Sequence, residues 1–262
     1  MKVFVLSKKN IIAYSYVLLL LVGLIGFNKD ATVSVFENSI KKDLPIYCVK
    51  RGDDEKVCSI SFDAAWGNED TEQLIKILAD YNVKATFFVV GDWAEKYPES
   101  VKALSDAGHE VMNHSDTHPH FTQISKEKML GEVAECDSKI EKITGVKPFL
   151  FRPPYGDYNN DVVSTLREAG HYTIQWDVDS LDWKDLSAQA IYERVTGKVA
   201  NGSIVLFHNA AKHTPEALPM ILKYLKENKF TVMPISQLIY KDNFEVDHTG
   251  RQFSTKVYTE KE

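Results

Sequence analysis

Apolar and polar positions follow two different periods along this chain. From Val57 onward, short apolar runs are separated by longer segments whose apolar residues recur every three or four positions, as in Leu74, Leu78 and Tyr81. The short runs predict strands at 57–62, 85–90, 110–113, 149–152, 172–176, 203–207 and 231–233. The longer segments predict helices at 69–81, 98–107, 125–144, 161–169, 187–199 and 214–227. Strands that alternate with helices in this way predict an α/β fold with a parallel sheet or barrel.

The first 27 residues follow neither period. Lys2, Lys8 and Lys9 precede residues 11–27, which contain no formal charge. This stretch is at the lower end of a membrane span and slightly longer than a signal-peptide core of about 7–15 residues. Because no small-x-small cleavage site follows, we expect a cytoplasmic stub and an uncleaved signal-anchor at 1–27, with the rest of the chain outside the cell membrane. Cleavage would instead give a secreted protein.

The remaining boundaries follow from composition. Residues 28–55 predict a polar connector that ends in a hairpin, 56–240 a single folded domain, and 241–262 a polar, mobile tail. A hairpin centred on Asp53 would place Cys48 opposite Cys58. In an exported protein this arrangement is compatible with a disulfide, and equally with two reduced thiols.

Length and charge narrow the function classes. The 262 residues suit one α/β barrel, which commonly uses about 200–250 residues. Apolar residues make up 44% and charged residues 26% of the chain, as in ordinary globular proteins. The net charge of −6 provides no basic surface, so nucleic acid is not expected as a partner.

Several strand ends carry side chains capable of chemistry. Asp63 directly follows the strand 57–62, and the carboxyl ends of barrel strands are where active sites form. Its carboxylate is suited to a general base or a metal ligand, and it lies too far upstream to cap the helix that begins near residue 69. His114 and His118, four residues apart after the strand 110–113, can bind one metal ion or can simply be surface histidines.

Three further segments are candidates of the same kind. The loop Arg152–Gly156 is stiffened by Pro153 and can aim the Tyr155 amide at an oxyanion, or it is a plain proline turn. Residues 182–183, Asp-Trp, offer a carboxylate and either an apolar wall or a core indole. His208 ends the strand 203–207 and is a candidate general acid or a structural histidine.

These segments, in this order, resemble the polysaccharide deacetylases with a NodB homology domain (carbohydrate esterase family four). The resemblance covers about residues 56–240 and rests on FDAAWG, HSDTH, RPPYG, DSLDW and LFH. FDAAWG, DSLDW and the N-terminal segment look most like the sporulation-associated PdaB-type members. The resemblance implies a deformed (β/α)7 barrel, a single catalytic domain and a divalent metal, usually zinc.

The resemblance also implies a role for each matched residue. Asp63 matches the general base and Arg152 the arginine that orients it, while the Tyr155 amide matches the oxyanion donor. His114 and His118 match two metal ligands. His208 matches the general acid, and Asp182 matches the carboxylate that partners it. The substrate-binding positions are matched by Trp183, Leu206 and Pro153.

Ala64 departs from the family pattern. Most members have a second Asp at this position, where it is the third metal ligand. Two neutral histidines without that carboxylate should bind a dication more weakly. Asp116, which lies between the two histidines in sequence, or Asp63 itself could replace it, although Asp63 can hardly be a ligand and a free base at once.

The sequence therefore predicts an exported hydrolase that removes N-acetyl groups from a cell-wall glycan, with peptidoglycan during spore formation as the expected substrate. Ala64 motivates a second hypothesis, a glycan-binding protein that has lost most catalysis. A chitin-type deacetylase is a third. The sequence gives no indication of oligomeric state.

Overall fold

The computed structural model describes residues 42–256. The predicted signal-anchor and half of the predicted connector, residues 28–41, lie outside these residues. Within 42–256, no helix combines the length and apolar character needed to cross a membrane.

Alternating strands and helices run through the described part of the chain. The strands are β1 Cys48–Val49, β2 Val57–Ala64, β3 Thr86–Val89, β4 Glu110–Asn113, β5 Leu150–Phe151, β6 Tyr172–Thr173, β7 Val178–Asp179, β8 Ser203–His208, β9 Thr231–Val232, β10 Phe244–Val246 and β11 Arg251–Ser254. The helices are α1 Thr71–Asp80, α2 Gly91–Lys96, α3 Pro98–Asp106, α4 Lys126–Thr144, α5 Asn160–Glu168, α6 Ala188–Thr196, α7 Thr214–Glu227 and α8 Ile235–Leu238. Short 3-10 turns lie at Phe121–Gln123, Pro154–Gly156 and Asp182–Lys184.

The strands form one curled sheet, which confirms the predicted deformed barrel. The order along it is β10-β11-β1-β8-β2-β3-β4-β5-β6, with β7 paired to β8 and β9 paired to β2. All pairs from β8 through β6 are parallel. Their carboxyl ends therefore point to one side of the sheet, which is where side chains from distant segments can meet.

The segment around β1 bridges the gap between the two ends of the parallel sheet. Ile46 pairs with Ile174 beyond β6, and Cys48 pairs with Ser203 of β8. The backbone N–H of Ile46 donates to the Thr173 carbonyl at 2.8 Å, and the N–H of Gln175 donates to the Ile46 carbonyl at 2.8 Å. Polar backbone groups that would otherwise be buried without partners are thus paired.

Apolar side chains fill both faces of the sheet. One cluster packs the outer face against the surrounding helices and includes Phe62, Phe87 and Leu218. A second cluster, which includes Phe88, Ile174 and Ile204, lies on the other face of the strands. β2 is buried along its whole length, and its residues alternate between the faces: Cys58, Ile60, Phe62 and Ala64 lie in the first cluster, and Ser59, Ser61 and Asp63 lie on the opposite face.

The predicted hairpin around Asp53 is wrong. β1 and β2 are not neighbours, because β8 lies between them and its Ser203 is paired with Cys48 on one side and with Cys58 on the other. Strands two places apart in a sheet are separated by about 10 Å, which exceeds the span of a disulfide. Both cysteines are free, buried thiols.

The predicted mobile tail at 241–262 is wrong for residues 242–256. β10 and β11 form an antiparallel pair, and β11 runs parallel to β1. Gln252 is fully buried, and its side-chain amide accepts from the Tyr240 N–H at 2.8 Å and donates to the Tyr240 carbonyl at 2.7 Å. This polar segment is ordered because it satisfies the backbone of an otherwise open sheet edge.

Candidate active site

A cleft of about 460 Å³ opens at the carboxyl ends of the parallel strands. Most of the residues predicted from sequence as functional lie in its wall or directly behind it. The wall consists of Asp63, Ala65, Trp66, His114, His118, Tyr155, Gly156, Trp176, Asp179, Trp183, Leu206 and His208.

Asp63 lies near the end of β2 and is held by Arg152. Arg152 Nη1 donates to Asp63 Oδ1 at 2.7 Å, and both side chains are buried. Burial is the largest single influence and disfavours the carboxylate, but the positive charge and the hydrogen bond of Arg152 outweigh it and hold the pKa of Asp63 below its usual value. Asp63 is therefore ionised at neutral pH, as a general base must be.

The guanidinium of Arg152 is itself fixed by buried neighbours. Nη2 donates to Ser61 Oγ at 2.9 Å and to the Gln175 carbonyl at 3.1 Å, and the group lies over the Phe88 ring at 4.2 Å. Sequence reasoning missed Ser61. Residues i and i+2 of a strand share one face, so the spacing of Ser61 and Asp63 in β2 was a usable signal.

His208 ends β8 and is paired with Asp182. Asp182 Oδ1 lies 2.8 Å from His208 Nδ1, and its Oδ2 accepts from the His208 backbone N–H at 2.9 Å and from Thr214 Oγ1 at 2.7 Å. Burial opposes the charged imidazole most strongly, but Asp182, with Asp63 and Asp179 further away, raises the pKa of His208 above its usual value. A histidine that holds its proton to higher pH than usual is better suited to donate it.

The two predicted metal ligands face each other across the loop after β4. His114 Nδ1 lies 2.7 Å from the Arg152 carbonyl, which only accepts, so this nitrogen carries the hydrogen and Nε2 presents a lone pair. His114 Nε2 lies 3.3 Å from His118 Nε2. Burial lowers the pKa of His114 and lowers that of His118 to about 4, so both imidazoles are neutral, the form that binds metals.

Helix α4 holds this histidine loop in place from behind. Buried Glu132 accepts from the Thr117 backbone N–H at 2.7 Å and from its hydroxyl at 2.8 Å. Asn113 Oδ1 accepts from the Ser115 N–H at 2.7 Å, and its Nδ2 donates to Asp137 at 2.7 Å. These bonds fix the loop backbone before any ligand is bound.

The resemblance implies a divalent metal, and the two histidines matched to its ligands are spaced as a zinc ion would require. Around a tetrahedral zinc with Zn–N bonds of about 2.0–2.1 Å, two nitrogens lie about 3.3 Å apart, and the histidine pair has this spacing. Asp63 Oδ2 lies 3.5 Å from His114 Nε2, but the other oxygen of that carboxylate is bound to Arg152. Among residues 42–256, no three His, Cys, Asp or Glu side chains form a group able to hold a metal.

The two replacement ligands suggested by sequence do not complete the set. Ala64 is buried in the apolar cluster on the outer face of the sheet, while Asp63 and Ala65 on either side of it line the cleft. Asp116 does not line the cleft and is paired with Lys139 of α4 at 2.8 Å. The described side chains supply half of a zinc site, so no catalytic step is derived through a metal.

Five loop residues around the cleft have a left-handed backbone although none is glycine. They are Ser115, His118, Tyr155, Leu181 and Ala210, with φ between 54° and 69°. This conformation costs an L-residue roughly 1–2 kcal/mol and persists where the surroundings impose it. At Tyr155 the turn is bracketed by Pro153 and Gly156, whose N–H donates to the Pro153 carbonyl at 3.1 Å.

The predicted substrate-binding residues are placed differently from one another. Trp183 lines the cleft and is 55% exposed, and Leu206 lines its floor. Pro153 is buried, lies outside the cleft wall and supports the Tyr155 turn. His109 is close in sequence to His114 but is buried outside the cleft wall, where it accepts from the Ala85 N–H at 3.1 Å.

Known sequences match the part of the chain that forms this cleft. Residues 50–174 match the family model described as polysaccharide deacetylase. A peptidoglycan-N-acetylglucosamine deacetylase of Bacillus cereus is 33% identical over 71% of this chain and 89% of its own length. The peptidoglycan-N-acetylmuramic acid deacetylase PdaC of Bacillus subtilis is 34% identical over 70% of this chain and 39% of its own. The matched region spans 60%, 39% and 66% of the full length of three curated relatives.

Solved structures match the fold of the same region. A pseudoenzyme of carbohydrate esterase family four from Bacillus anthracis superimposes with a TM-score of 0.70 and 34% identity, covering 74% of this chain and 69% of its own. A mutant of that pseudoenzyme with restored enzymatic activity gives the same TM-score and identity, over 74% of this chain and 71% of its own.

Proposed function

Because the chain belongs to the polysaccharide deacetylase family, whose hydrolases act on N-acetyl amide bonds, we propose that it removes N-acetyl groups from peptidoglycan. The peptidoglycan deacetylases among its relatives support this substrate class. The likeness of FDAAWG and DSLDW to PdaB-type members supports a role in spore formation. We place the protein at the cell membrane through residues 11–27, with the domain outside.

One observation carries the proposal: a base and an acid, each with its own charged partner, lie next to each other on neighbouring strands. Asp63 of β2 is paired in register with His208 of β8. Arg152 favours the ionised form of Asp63 and Asp182 favours the protonated form of His208, at contact distances of 2.7 and 2.8 Å. Two groups whose pKa values are driven apart in this manner are suited to acid–base work in one reaction.

The geometry supports the following amide hydrolysis. Asp63 takes a proton from a water molecule as that water attacks the acetamide carbonyl carbon, and the Tyr155 amide donates to the oxyanion that forms. His208 then gives its Nε2 proton to the amide nitrogen as the C–N bond breaks. Acetate and a free amine leave, while Asp182 stabilises the imidazolium throughout. A bound metal would add Lewis-acid polarisation of the carbonyl.

Acetate release from a tetramer of N-acetylglucosamine, and from soluble peptidoglycan fragments, tests this function. Wild type should release acetate, and Asp63→Asn should lower the rate by about 10²–10⁴-fold because the amide cannot take the proton. Circular dichroism and thermal unfolding of the variant serve as the folding control. Equal rates for the two proteins would refute Asp63 as the base.

Ala64 and the pseudoenzyme likeness support a second candidate function, glycan binding with little or no catalysis. This candidate predicts tight binding of the tetramer with no acetate release under any added divalent metal. Retention of Asp63, Arg152, Asp182 and His208 in bonded pairs favours the enzyme.

A further inference from the structure

Three exposed aromatic side chains surround the cleft, and the family resemblance implies a role for only two of them. Trp66, Tyr155 and Trp183 are 51%, 62% and 55% exposed, and all three line the cleft. The resemblance gives roles to Tyr155 and Trp183, whereas Trp66, in the FDAAWG segment that runs into the loop after β2, has no role implied by it. A large aromatic left in water at the wall of a cleft is typical of a ligand-binding surface.

The backbone that carries Trp66 is held by buried side chains. Asn209, which is 2% exposed, donates from Nδ2 to the carbonyls of Trp66 and Gly67 at 2.5 and 2.6 Å. Its Oδ1 accepts from the Ala65 N–H at 3.3 Å. From the other side, Trp93 Nε1 donates to the Gly67 carbonyl at 2.6 Å. The loop is therefore built to present an indole at a fixed place, which reduces the ordering cost of binding.

That place is next to the proposed acid. The indole of Trp66 and the imidazole of His208 are 12° from parallel, with 6.2 Å between ring centroids. A sugar whose amine leaves toward His208 must have its ring within reach of this indole. The C–H faces of a pyranose are apolar and flat enough to cover an aromatic ring.

We propose that Trp66 is a specificity-determining residue whose indole packs against a pyranose ring of the bound glycan beside His208. This inference rests on the proposed function for the identity of its ligand. Trp66 thus recognises an N-acetylated hexosamine chain by shape and apolar contact, and it takes no part in proton transfer.

Binding of the N-acetylglucosamine tetramer to the full chain, measured by calorimetry, tests the proposal. The Asp63→Asn background keeps the tetramer from being consumed. Trp66→Ala should weaken binding about tenfold, and Trp66→Phe, which keeps an aromatic face, should remain within about threefold of the parent. Val146→Ala is the matched control, since Val146 is 55% exposed and lies outside the cleft wall.

Kinetics give a second readout on the active protein. Trp66→Ala should raise KM about tenfold while kcat falls less than about threefold. Trp66→Phe should have a KM close to that of the wild type. A loss in kcat alone, or unchanged binding by Trp66→Ala in a protein with wild-type thermal stability, overturns the proposal.

The two proposals fail separately. If wild type releases no acetate but Trp66→Ala still weakens tetramer binding, the deacetylase function fails and the role of Trp66 stands. If acetate is released and Trp66→Ala leaves both binding and KM unchanged, the function stands and the role of Trp66 fails.

Discussion

Asp63 and His208 are register partners on the neighbouring parallel strands β2 and β8. The backbone continues this pairing, because the Asn209 N–H donates to the Asp63 carbonyl at 3.1 Å. Two residues 145 positions apart in sequence thus have their relative position set by sheet hydrogen bonds. Strands are rigid supports, so the distance between base and acid depends little on loop motion.

Asp182→Asn should move the alkaline limb of the pH–activity profile to lower pH. The raised pKa of His208 keeps the proton in place to higher pH, and acid function is lost as pH rises through that pKa. Removing the Asp182 charge lowers the pKa of His208. The profile of kcat/KM for the tetramer measures the shift. Thr214→Val, which removes only a neutral donor to Asp182, should move the limb much less; equal shifts in the two variants would contradict the charge effect.

Arg152→Ala should destabilise the fold by about 3–5 kcal/mol, because it leaves the buried Asp63 carboxylate without its partner. Adding Asp63→Asn removes that charge, so the double variant should regain part of the loss. Urea denaturation of the wild type, both single variants and the double variant measures the coupling. A double variant no more stable than Arg152→Ala would show that packing of the guanidinium, and not the ion pair, dominates.

Ala64→Asp should lower stability and leave zinc affinity unchanged. Ala64 lies in the apolar cluster on the outer face of the sheet and is 1% exposed, so a carboxylate there is a buried charge that does not face the histidine pair in the cleft. Calorimetric titration with zinc and melting curves with and without zinc check both parts. Ala64→Asn has the same size without the charge, and a higher zinc affinity in the Asp variant than in the Asn variant would contradict this placement of the side chain.

Asp70→Asn should stabilise the protein more at high pH than at low pH. Burial raises the pKa of Asp70 to about 6, and Oδ1 has no hydrogen-bond partner among residues 42–256. The pKa of Asp70 is higher in the folded chain than in the unfolded chain, where it is about 3.9. Asp70 therefore contributes to the free energy of unfolding in full below about pH 3.9, and this contribution is lost as pH rises through about 6.

The variant should therefore melt a few degrees higher than wild type at about pH 8 and differ little at about pH 4, given that about 1 kcal/mol shifts the Tm of a domain this size by about 2–4 °C. Asp80→Asn is the exposed control, with a side chain that is 57% accessible. A Tm difference that is the same at both pH values would contradict the ionisation of Asp70 as its cause.

Elements with strong local signals were predicted closely. β4 and α7 begin and end at the predicted residues, 110–113 and 214–227. The helix predicted at 125–144 forms as α4, with Ser125 as its N-cap accepting from the Lys128 N–H and Gly145 at its end with φ 74°. Caps, glycine ends and apolar periodicity act within a few residues, so sequence alone reveals them.

Elements that depend on distant partners were not predicted. Residues 241–262 were predicted to be a polar tail, because no local sequence pattern indicates that β11 pairs with β1, about 200 residues away. The hairpin at Asp53 failed for the same reason, since β8 inserts between β1 and β2. Strand neighbours are chosen by tertiary packing, which a local pattern does not encode.

The sequence by itself determined which side chains are candidates for the chemistry. The motif residues Asp63, His114, His118, Arg152 and His208 were all identified from type, order and strand-end position, and the fold brings them to one cleft.

Only the tertiary structure decided how they are supported and what surrounds them. Ser61 under Arg152, Asn209 under Trp66 and the apolar surroundings of Ala64 each join segments far apart in the chain. Hydrogen bonds and burial across strands are properties of the folded sheet, and they set the pKa values and distances on which the proposed chemistry depends.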